Sequence, residues 1–301
     1  MAHDHDQHRR NAAAAHRGRL AVVLAITVAL LVAEVVGAAL SDSLALLADA
    51  GHVLADGAGI GLALLAVRFA ARPATPQRTF GYYRLEILAA VVNAVLLFGV
   101  AGFVLVEAWR RLSDPPEVAS GLMLAVAAAG LVANAASLWL LRGGQRDSLN
   151  LRGAYLEVWG DLLGSVAVLV AAGVIAVTGF LAADPIASAL IGVAILPRTW
   201  RLLREAVDVL LEATPKGVDM AEVRQHLIET PGVTDVHDLH AWTITSGLPV
   251  LSAHVVIERD ADAGKVLDGL GACLAGHFDI DHSTFQLELP EHRGHEGATH
   301  R

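Results

Sequence analysis

Six stretches of the sequence are long and apolar enough to cross a lipid bilayer, and they constrain the fold more than any other feature. A membrane-spanning helix needs about 20 predominantly apolar residues. The stretches cover residues 20–40, 44–67, 86–108, 120–141, 155–178 and 182–203. Only 18% of the chain is charged, against about 25% in a typical soluble domain. The sequence therefore predicts an α-helical membrane protein with six transmembrane helices.

Arginines are distributed unevenly between the joints of these predicted helices. They cluster before the first span, in the second and fourth joints and at the end of the sixth span, whereas the first and fifth joints contain no Lys or Arg. Cytoplasmic loops carry an excess of these residues. We therefore expect a multi-pass protein of the cell (inner) membrane with both termini in the cytoplasm. A cleaved signal peptide is not expected, because the first apolar run is too long.

The chain changes character after about residue 208. Two segments have the apolar periodicity of helices, at 218–229 and 262–277, and three have the alternation of strands, at 233–245, 248–258 and 283–289. This order predicts a C-terminal α+β domain of the ferredoxin-like type (α-β-β-α-β), with a layer of helices on a sheet.

Charge and cysteine content exclude several classes of protein. A net charge of −9 excludes a basic nucleic-acid-binding protein. The single cysteine, Cys273, excludes intrachain disulfides and any metal site with several thiolates.

Two predicted spans contain ionisable residues at membrane depth. His52 and Asp56 lie on the second span, and Glu157 and Asp161 lie on the fifth. Residues four apart share one helix face, and unpaired charges inside a membrane cost several kcal/mol, on the order of 3. Two facing pairs would offer an imidazole nitrogen and carboxylate oxygens, which suit Zn²⁺ and lack the sulfur that Cu(I) prefers. The alternative, hydrogen bonding between helices, is disfavoured by the matched spacing.

The remaining polar residues of the spans have simpler interpretations. Asp49 is expected to connect helix ends or to support the ligands from behind. Glu34, Asn93 and Asn134 are expected to form hydrogen bonds between helices. Glycines beside the acidic pairs are expected to let the second and fifth spans approach closely.

Five motifs resemble those of the cation diffusion facilitator family, and the resemblance covers about residues 17–290. It is greatest to the zinc, cadmium and cobalt exporters of bacteria. The motifs are SLALLADAGHVLAD at 43–56, FGYYRLEILAA at 80–90, GDLLGS at 160–165, Asp184-Pro185, and HDLHAW at 237–242.

The resemblance implies a proton-coupled antiporter that works as a homodimer in the lipid membrane. It implies a transport site formed by His52, Asp56, Glu157 and Asp161, with Zn²⁺ as substrate. The zinc-exporting branch usually has His at the position of Glu157. A carboxylate there adds negative charge and a harder ligand, which favours Mn²⁺, Fe²⁺, Co²⁺ or Cd²⁺ as alternative substrates.

The resemblance also implies that the soluble domain dimerises and can bind metal. The expected ligands are His237, His254 and Glu288, with His240 and His282 as second candidates; a hydrogen-bonded structural histidine is the alternative for each. Gln286 stands where some relatives have His, which argues against a full binuclear site.

The predicted organisation follows from these observations. It comprises a His-containing cytoplasmic tail (1–16), a transmembrane transport domain (17–207), a cytoplasmic metal-binding and dimerisation domain (208–290) and a disordered tail (291–301). Disorder is also expected for residues 1–16. An intramembrane metalloenzyme is disfavoured because no H-E-x-x-H motif is present, and a metal sensor would need no site at membrane depth.

Overall fold

The structure is a computed structural model that describes residues 2–142 and 149–292, with side chains from Leu20 onward except at 67 and 149–151. Six of its helices have the length and composition needed to cross a membrane, as the sequence predicts. They are α1 (Ala2–Ser41), α2 (Leu44–Ala70), α3 (Leu85–Ser113), α4 (Ser120–Leu141), α5 (Leu149–Thr178) and α6 (Ala183–Leu210).

The first helix continues without a break from Ala2 into the first predicted span. The structure thus differs from the disorder predicted for residues 1–16, where a run of alanines at 12–15 has high helix propensity. From residue 293 onward, the disordered tail predicted at 291–301 lies outside the described residues.

The chain divides into two compact units, which are described separately. The first comprises Met1–Gly61 and Val92–Arg201, and the second comprises Leu62–Val91 and Leu202–Arg301. The first unit has a core of small and branched side chains from several spans. Many larger apolar side chains on the same helices are exposed, as expected for surfaces that face lipid.

Asp184, at the start of α6, fixes the N-terminus of α2. Its carboxylate accepts hydrogen bonds from the Ser43 hydroxyl at 2.6 Å, the Leu44 amide at 2.8 Å and the Ala45 amide at 3.2 Å. The first amides of a helix have no partner within the helix and carry partial positive charge. The fully buried Asp184 carboxylate satisfies them and ties α6 to the helix that carries His52 and Asp56.

We expect Asp184→Ala to destabilise the protein by about 2–4 kcal/mol, because it leaves a buried hydroxyl and two amides without an acceptor. The measurement is the thermal midpoint of the purified protein in detergent, followed by size-exclusion chromatography. Asp114→Ala, which removes an exposed carboxylate, is the matched control. Equal midpoints for the two variants would contradict this role of Asp184.

In the second unit, the residues after α6 form the predicted α-β-β-α-β domain. Its elements are α7 (Met220–Ile228), β1 (Val233–Thr243), β2 (Pro249–Ile257), α8 (Ala263–Phe278) and β3 (His282–Glu288). The sheet order is β1-β2-β3, with β1 antiparallel and β3 parallel to β2. Both helices share one buried core with the sheet, which includes Leu227, Leu251 and Leu274. The side chains of Asp219 and Asp262 cap the two helices.

Candidate metal centres

Three of the four predicted membrane ligands converge between α2 and α5. His52 Nε2 lies 3.5 Å from Asp56 Oδ2. One ligand atom from each of His52, Asp56 and Glu157 lies within 4.8 Å of the other two. The i, i+4 spacing aligns the first two on one face of α2, and α5 supplies Glu157. These half-buried side chains offer nitrogen and oxygen donors near the spacing that a divalent cation requires.

Asp161 lies one turn further along α5 and, among the described residues, is outside this three-residue set. Its side chain is buried, with 7% of the residue exposed. Two other carboxyl groups of the spans, Glu34 and Asp49, are also buried, at 2% and 3% exposure.

Of the glycines beside the acidic pairs, Gly164 provides the predicted close approach between α2 and α5, whereas Gly59 lies against α3 instead. A Cβ atom added at Gly164 would lie 2.5 Å from Oδ1 of Asp49, so α2 and α5 meet closely there. A Cβ atom added at Gly59 would lie 2.5 Å from Nδ2 of Asn93, so this glycine serves the contact between α2 and α3.

The predicted hydrogen bond of Asn134 is present. Its Nδ2 donates to Ser165 Oγ at 3.1 Å and connects α4 to α5.

Arg198, on α6, completes the cluster and is absent from the site predicted from the sequence. Its two terminal nitrogens donate to the two carboxylate oxygens of Glu157 at 2.7 and 2.5 Å. One of them also lies 4.0 Å from Asp56 Oδ2. The guanidinium matches a carboxylate as a planar fork. In the sequence, Arg198 is a positive charge near the end of the sixth span, and it was used only to predict which side of the membrane that end faces.

The arginine changes the charge balance of the site. When ionised, Asp56, Glu157 and Asp161 contribute three negative charges, and Arg198 cancels one of them. With a neutral His52 the remaining charge is −2, which one divalent cation neutralises. The charges of Glu157 and Arg198 therefore cancel. The site has the same net charge as one with a neutral histidine at position 157 and no arginine.

A cavity of about 420 Å³ borders the cluster between α2, α5 and α6. Asp49, His52 and Arg198 contribute its polar lining, and Ile191 and Ile195 contribute part of its apolar lining. Its volume corresponds to on the order of ten water molecules. An ion at the cluster would thus have room for part of a hydration shell.

In the cytoplasmic domain, the three main candidate ligands come together, one from each strand. His237 and His254 are directly opposed in the register of β1 and β2, with ring centroids 5.2 Å apart. Glu288 reaches both rings, with carboxylate oxygens 2.9 Å from His254 Nδ1 and 3.3 Å from His237 Nε2. The ligand atoms of all three lie within 4.8 Å of one another.

The second candidates lie elsewhere. His240 pairs with Asp238 at 2.9 Å, and its side chain is 64% exposed. The ring of His282 packs edge-on against Phe80, with centroids 5.8 Å apart. Neither joins the three-residue set in the part of the chain that the structure describes. Gln286 donates from Nε2 to Glu288 Oε1 at 2.6 Å, so it positions a carboxylate.

Asp238 is a neighbour of this set that sequence reasoning missed. It has a positive φ of 47° at a register shift between His237 and His240, and its carboxylate lies 3.6 Å from His254 Nε2. An aspartate between two histidines was the available signal. Strand alternation alone does not reveal the bulge that turns this side chain toward β2.

Comparison with known proteins covers both parts of the chain. Residues 20–211 match the cation efflux transmembrane domain, and residues 215–290 match the cation efflux protein, cytoplasmic domain. The chain is 49% identical to the metal cation efflux system protein CzcD of Cupriavidus metallidurans, over 93% of this chain and 89% of that protein. It is 44% identical to the zinc transporter ZitB of Escherichia coli, over 90% and 87% of the two chains.

Two further matches extend the comparison. The cadmium, cobalt and zinc/H(+)-K(+) antiporter of Bacillus subtilis is 36% identical over 99% of this chain and 95% of that protein. The solved metal-bound C-terminal domain of the CzcD transporter from Cupriavidus metallidurans is 46% identical. It covers 24% of this chain and 100% of its own, with a TM-score of 0.23.

Proposed function

This chain belongs to the cation efflux family of divalent metal transporters, and on that premise we propose that it exports Zn²⁺ from the cytoplasm in exchange for protons. The observation that carries the proposal is the convergence of His52, Asp56 and Glu157 between two membrane-spanning helices. The relatives are named as transporters or efflux systems, so the chain is a transporter and not an enzyme.

The chemistry of the cluster supports proton coupling. Metal ligands must be deprotonated to bind, so a metal ion entering the site displaces protons from its ligands. His52, Asp56 and Asp161 are the groups from which protons would leave, and Glu157 must separate from Arg198 before it can bind metal. If the site faces the two sides of the membrane in turn, protons entering from outside release the ion, and cytoplasmic metal then expels the protons.

The proposal includes the placement of the chain in the membrane. The arginine distribution favours the inner membrane with both termini in the cytoplasm. The arginines of the second and fourth joints are then at the level of anionic lipid headgroups. The match of residues 215–290 to the family's cytoplasmic domain supports a homodimer.

The cytoplasmic cluster of His237, His254 and Glu288 is part of the same proposal. Two imidazoles and a carboxylate are ligands that Zn²⁺ accepts, with a water or a residue of the second subunit in the fourth position. Because Glu288 is 3% exposed, a bound cation would neutralise a carboxylate that is otherwise costly to bury. This site would respond to cytoplasmic metal and would lie outside the transport path.

Glu157 favours a second set of substrates. A carboxylate in place of the usual imidazole makes the donor set harder, which suits Mn²⁺, Fe²⁺ or Co²⁺ more than a set with two histidines does. The larger Cd²⁺ is a further candidate, and the Bacillus subtilis relative is named for cadmium, cobalt and zinc.

The test is metal flux into proteoliposomes that contain the purified protein and a trapped metal indicator. Zn²⁺ uptake is expected to accelerate when the lumen is acidic, and nigericin, which collapses the gradient, is expected to abolish the acceleration. Uptake of Mn²⁺, Co²⁺ and Cd²⁺ at matched concentrations ranks the substrates.

Asp161→Ala tests whether flux depends on the proposed site, and protein-free liposomes measure the leak of metal across the bilayer. Zn²⁺ flux that is insensitive to the pH gradient would rule out proton exchange. Normal flux in Asp161→Ala would remove that residue from the proposed site, and faster flux of another ion would replace Zn²⁺ as the main substrate.

A further inference from the structure

A second cluster of metal-binding side chains lies on the helical layer of the cytoplasmic domain. It consists of His226 on α7 with Cys273 and His277 on α8, and their ligand atoms all lie within 4.8 Å of one another. None of the three belongs to the cluster on the sheet. The single cysteine excludes sites with several thiolates but is compatible with a site of one thiolate and two imidazoles.

The local geometry prepares His277 to bind a metal. Its Nδ1 lies 3.1 Å from the backbone carbonyl oxygen of Cys273. A nitrogen that faces a carbonyl must donate, so Nδ1 carries the proton and Nε2 keeps its lone pair. Metal-binding histidines commonly show this arrangement, in which a carbonyl fixes the tautomer and the orientation of the ring.

The two helices hold the cluster in place. Cys273 and His277 are four residues apart and therefore share a face of α8. His226 approaches from α7, with its ring centroid 4.9 Å from that of His277. The neighbours Leu227 and Leu274 are fully buried in the core, so the helices that carry the three ligands are anchored on both sides.

The alternatives for these residues are a reactive thiol and simple ring packing. Burial and the nearby Glu229 raise the pKa of the Cys273 thiol, which disfavours a nucleophilic thiolate in the absence of metal. Ring packing accounts for His226, which also contacts Phe278 edge-on at 5.3 Å. It does not account for the ligand atoms of all three residues lying within 4.8 Å of one another.

We propose that His226, Cys273 and His277 form a separate binding site for a thiophilic divalent cation, Zn²⁺ or Cd²⁺, in the cytoplasmic domain. The set supplies one sulfur and two nitrogen ligands and leaves the fourth tetrahedral position for water or for Glu229. The thiol gives up its proton to solvent when the metal binds. Because thiolate is softer than carboxylate, this site discriminates against Mn²⁺ more strongly than the membrane cluster does.

The test uses Co²⁺ as a spectroscopic probe of the purified full-length protein in detergent. A thiolate bound to Co²⁺ gives a charge-transfer absorption in the near ultraviolet, whereas nitrogen and oxygen ligands do not. Since Cys273 is the only cysteine of the chain, the band reports this site alone, whatever metal binds elsewhere. We expect a band whose saturating intensity corresponds to one Co²⁺–thiolate bond per chain, and which disappears on addition of Zn²⁺ or Cd²⁺ but not of Mn²⁺.

Substitutions identify the ligands. Cys273→Ser is expected to abolish the band, and His226→Ala and His277→Ala are each expected to weaken Co²⁺ binding at least tenfold. His254→Ala, in the cluster on the sheet, is the matched control and is expected to leave the band unchanged. Absence of the band in the wild type, or an unchanged band in a His226→Ala/His277→Ala double variant, would overturn the proposal. Neither result bears on transport through the membrane cluster.

Discussion

Asp56→Ala is expected to lower metal flux in proteoliposomes by at least about 100-fold. Loss of a residue that only supports a metal ligand typically costs 10–100-fold, and Asp56 is itself a proposed ligand. Its carboxylate lies 3.5 Å from His52 and 4.0 Å from Arg198. Without it, the site loses a ligand as well as a charge, and with Arg198 still present its net charge falls from −2 to −1, which weakens its attraction for a divalent cation.

Two further variants distinguish the loss of the Asp56 charge from a change in side-chain size and from a loss of folding. Asp56→Asn keeps the size of the side chain and removes its charge, so the same loss of flux is expected. Asp114→Ala removes an exposed carboxylate from the segment after α3 and is expected to transport normally. Flux near the wild-type rate in Asp56→Asn, with an unchanged thermal midpoint, would show that this carboxylate does not bind the ion.

The part of the membrane site that follows from helix periodicity could be predicted from the sequence. His52 and Asp56 had to share a face of one span, and Glu157 had to share a face of another with Asp161. Unpaired, these charges would be costly in a membrane, so the two faces were expected to meet. The structure brings Glu157 to the first pair and leaves Asp161, one turn away, outside the three-residue set among the residues it describes.

Arg198 could not be placed in the same way. An arginine near the end of a span is usually a topological signal, and nothing in the sequence fixed the rotation of the sixth helix about its axis. α6 extends to Leu210, beyond the end predicted at 203, so Arg198 lies more than three turns inside the helix. Its partner, Glu157, lies 41 residues earlier in the sequence, and only the packing of α6 against α5 brings the two side chains together.

The soluble domain shows a similar division. The order and bounds of its strands and helices followed from alternation, periodicity and the turn at Gly247, whose positive φ of 74° suits glycine. The cluster of His226, Cys273 and His277 needs the packing of α7 against α8. Sequence spacing gives the pair on α8 but not the side of that helix on which α7 lies.

A double-mutant cycle of Glu157 and Arg198 is expected to show strong coupling between the two residues. Glu157→His alone removes one negative charge and leaves the arginine in place, so the site retains a net charge of only −1. An uncompensated positive charge close to a divalent cation costs several kcal/mol at an effective dielectric constant of about 20. We expect the flux to fall at least about tenfold, which corresponds to about 1.4 kcal/mol.

Adding Arg198→Leu to Glu157→His returns the net charge to −2 and is expected to restore flux to within about threefold of the wild type, well above the additive expectation. Arg198→Leu alone leaves a charge of −3, so metal binds more tightly and leaves more slowly, which lowers both the apparent KM and the maximal flux. The restored site has two imidazoles and is expected to prefer Zn²⁺ over Mn²⁺ more strongly than the wild type does.

The control for this cycle is Arg201→Leu combined with Glu157→His. Arg201 is an exposed arginine of α6, three residues beyond Arg198, and its removal changes the net charge of the protein by the same amount. Rescue of Glu157→His by Arg198→Leu but not by Arg201→Leu would locate the effect in the contact between the guanidinium and the carboxylate. Strictly additive losses of flux in the Glu157 and Arg198 variants would contradict the expected coupling. The 2.7 and 2.5 Å contacts would then have no effect on the net charge at the metal site.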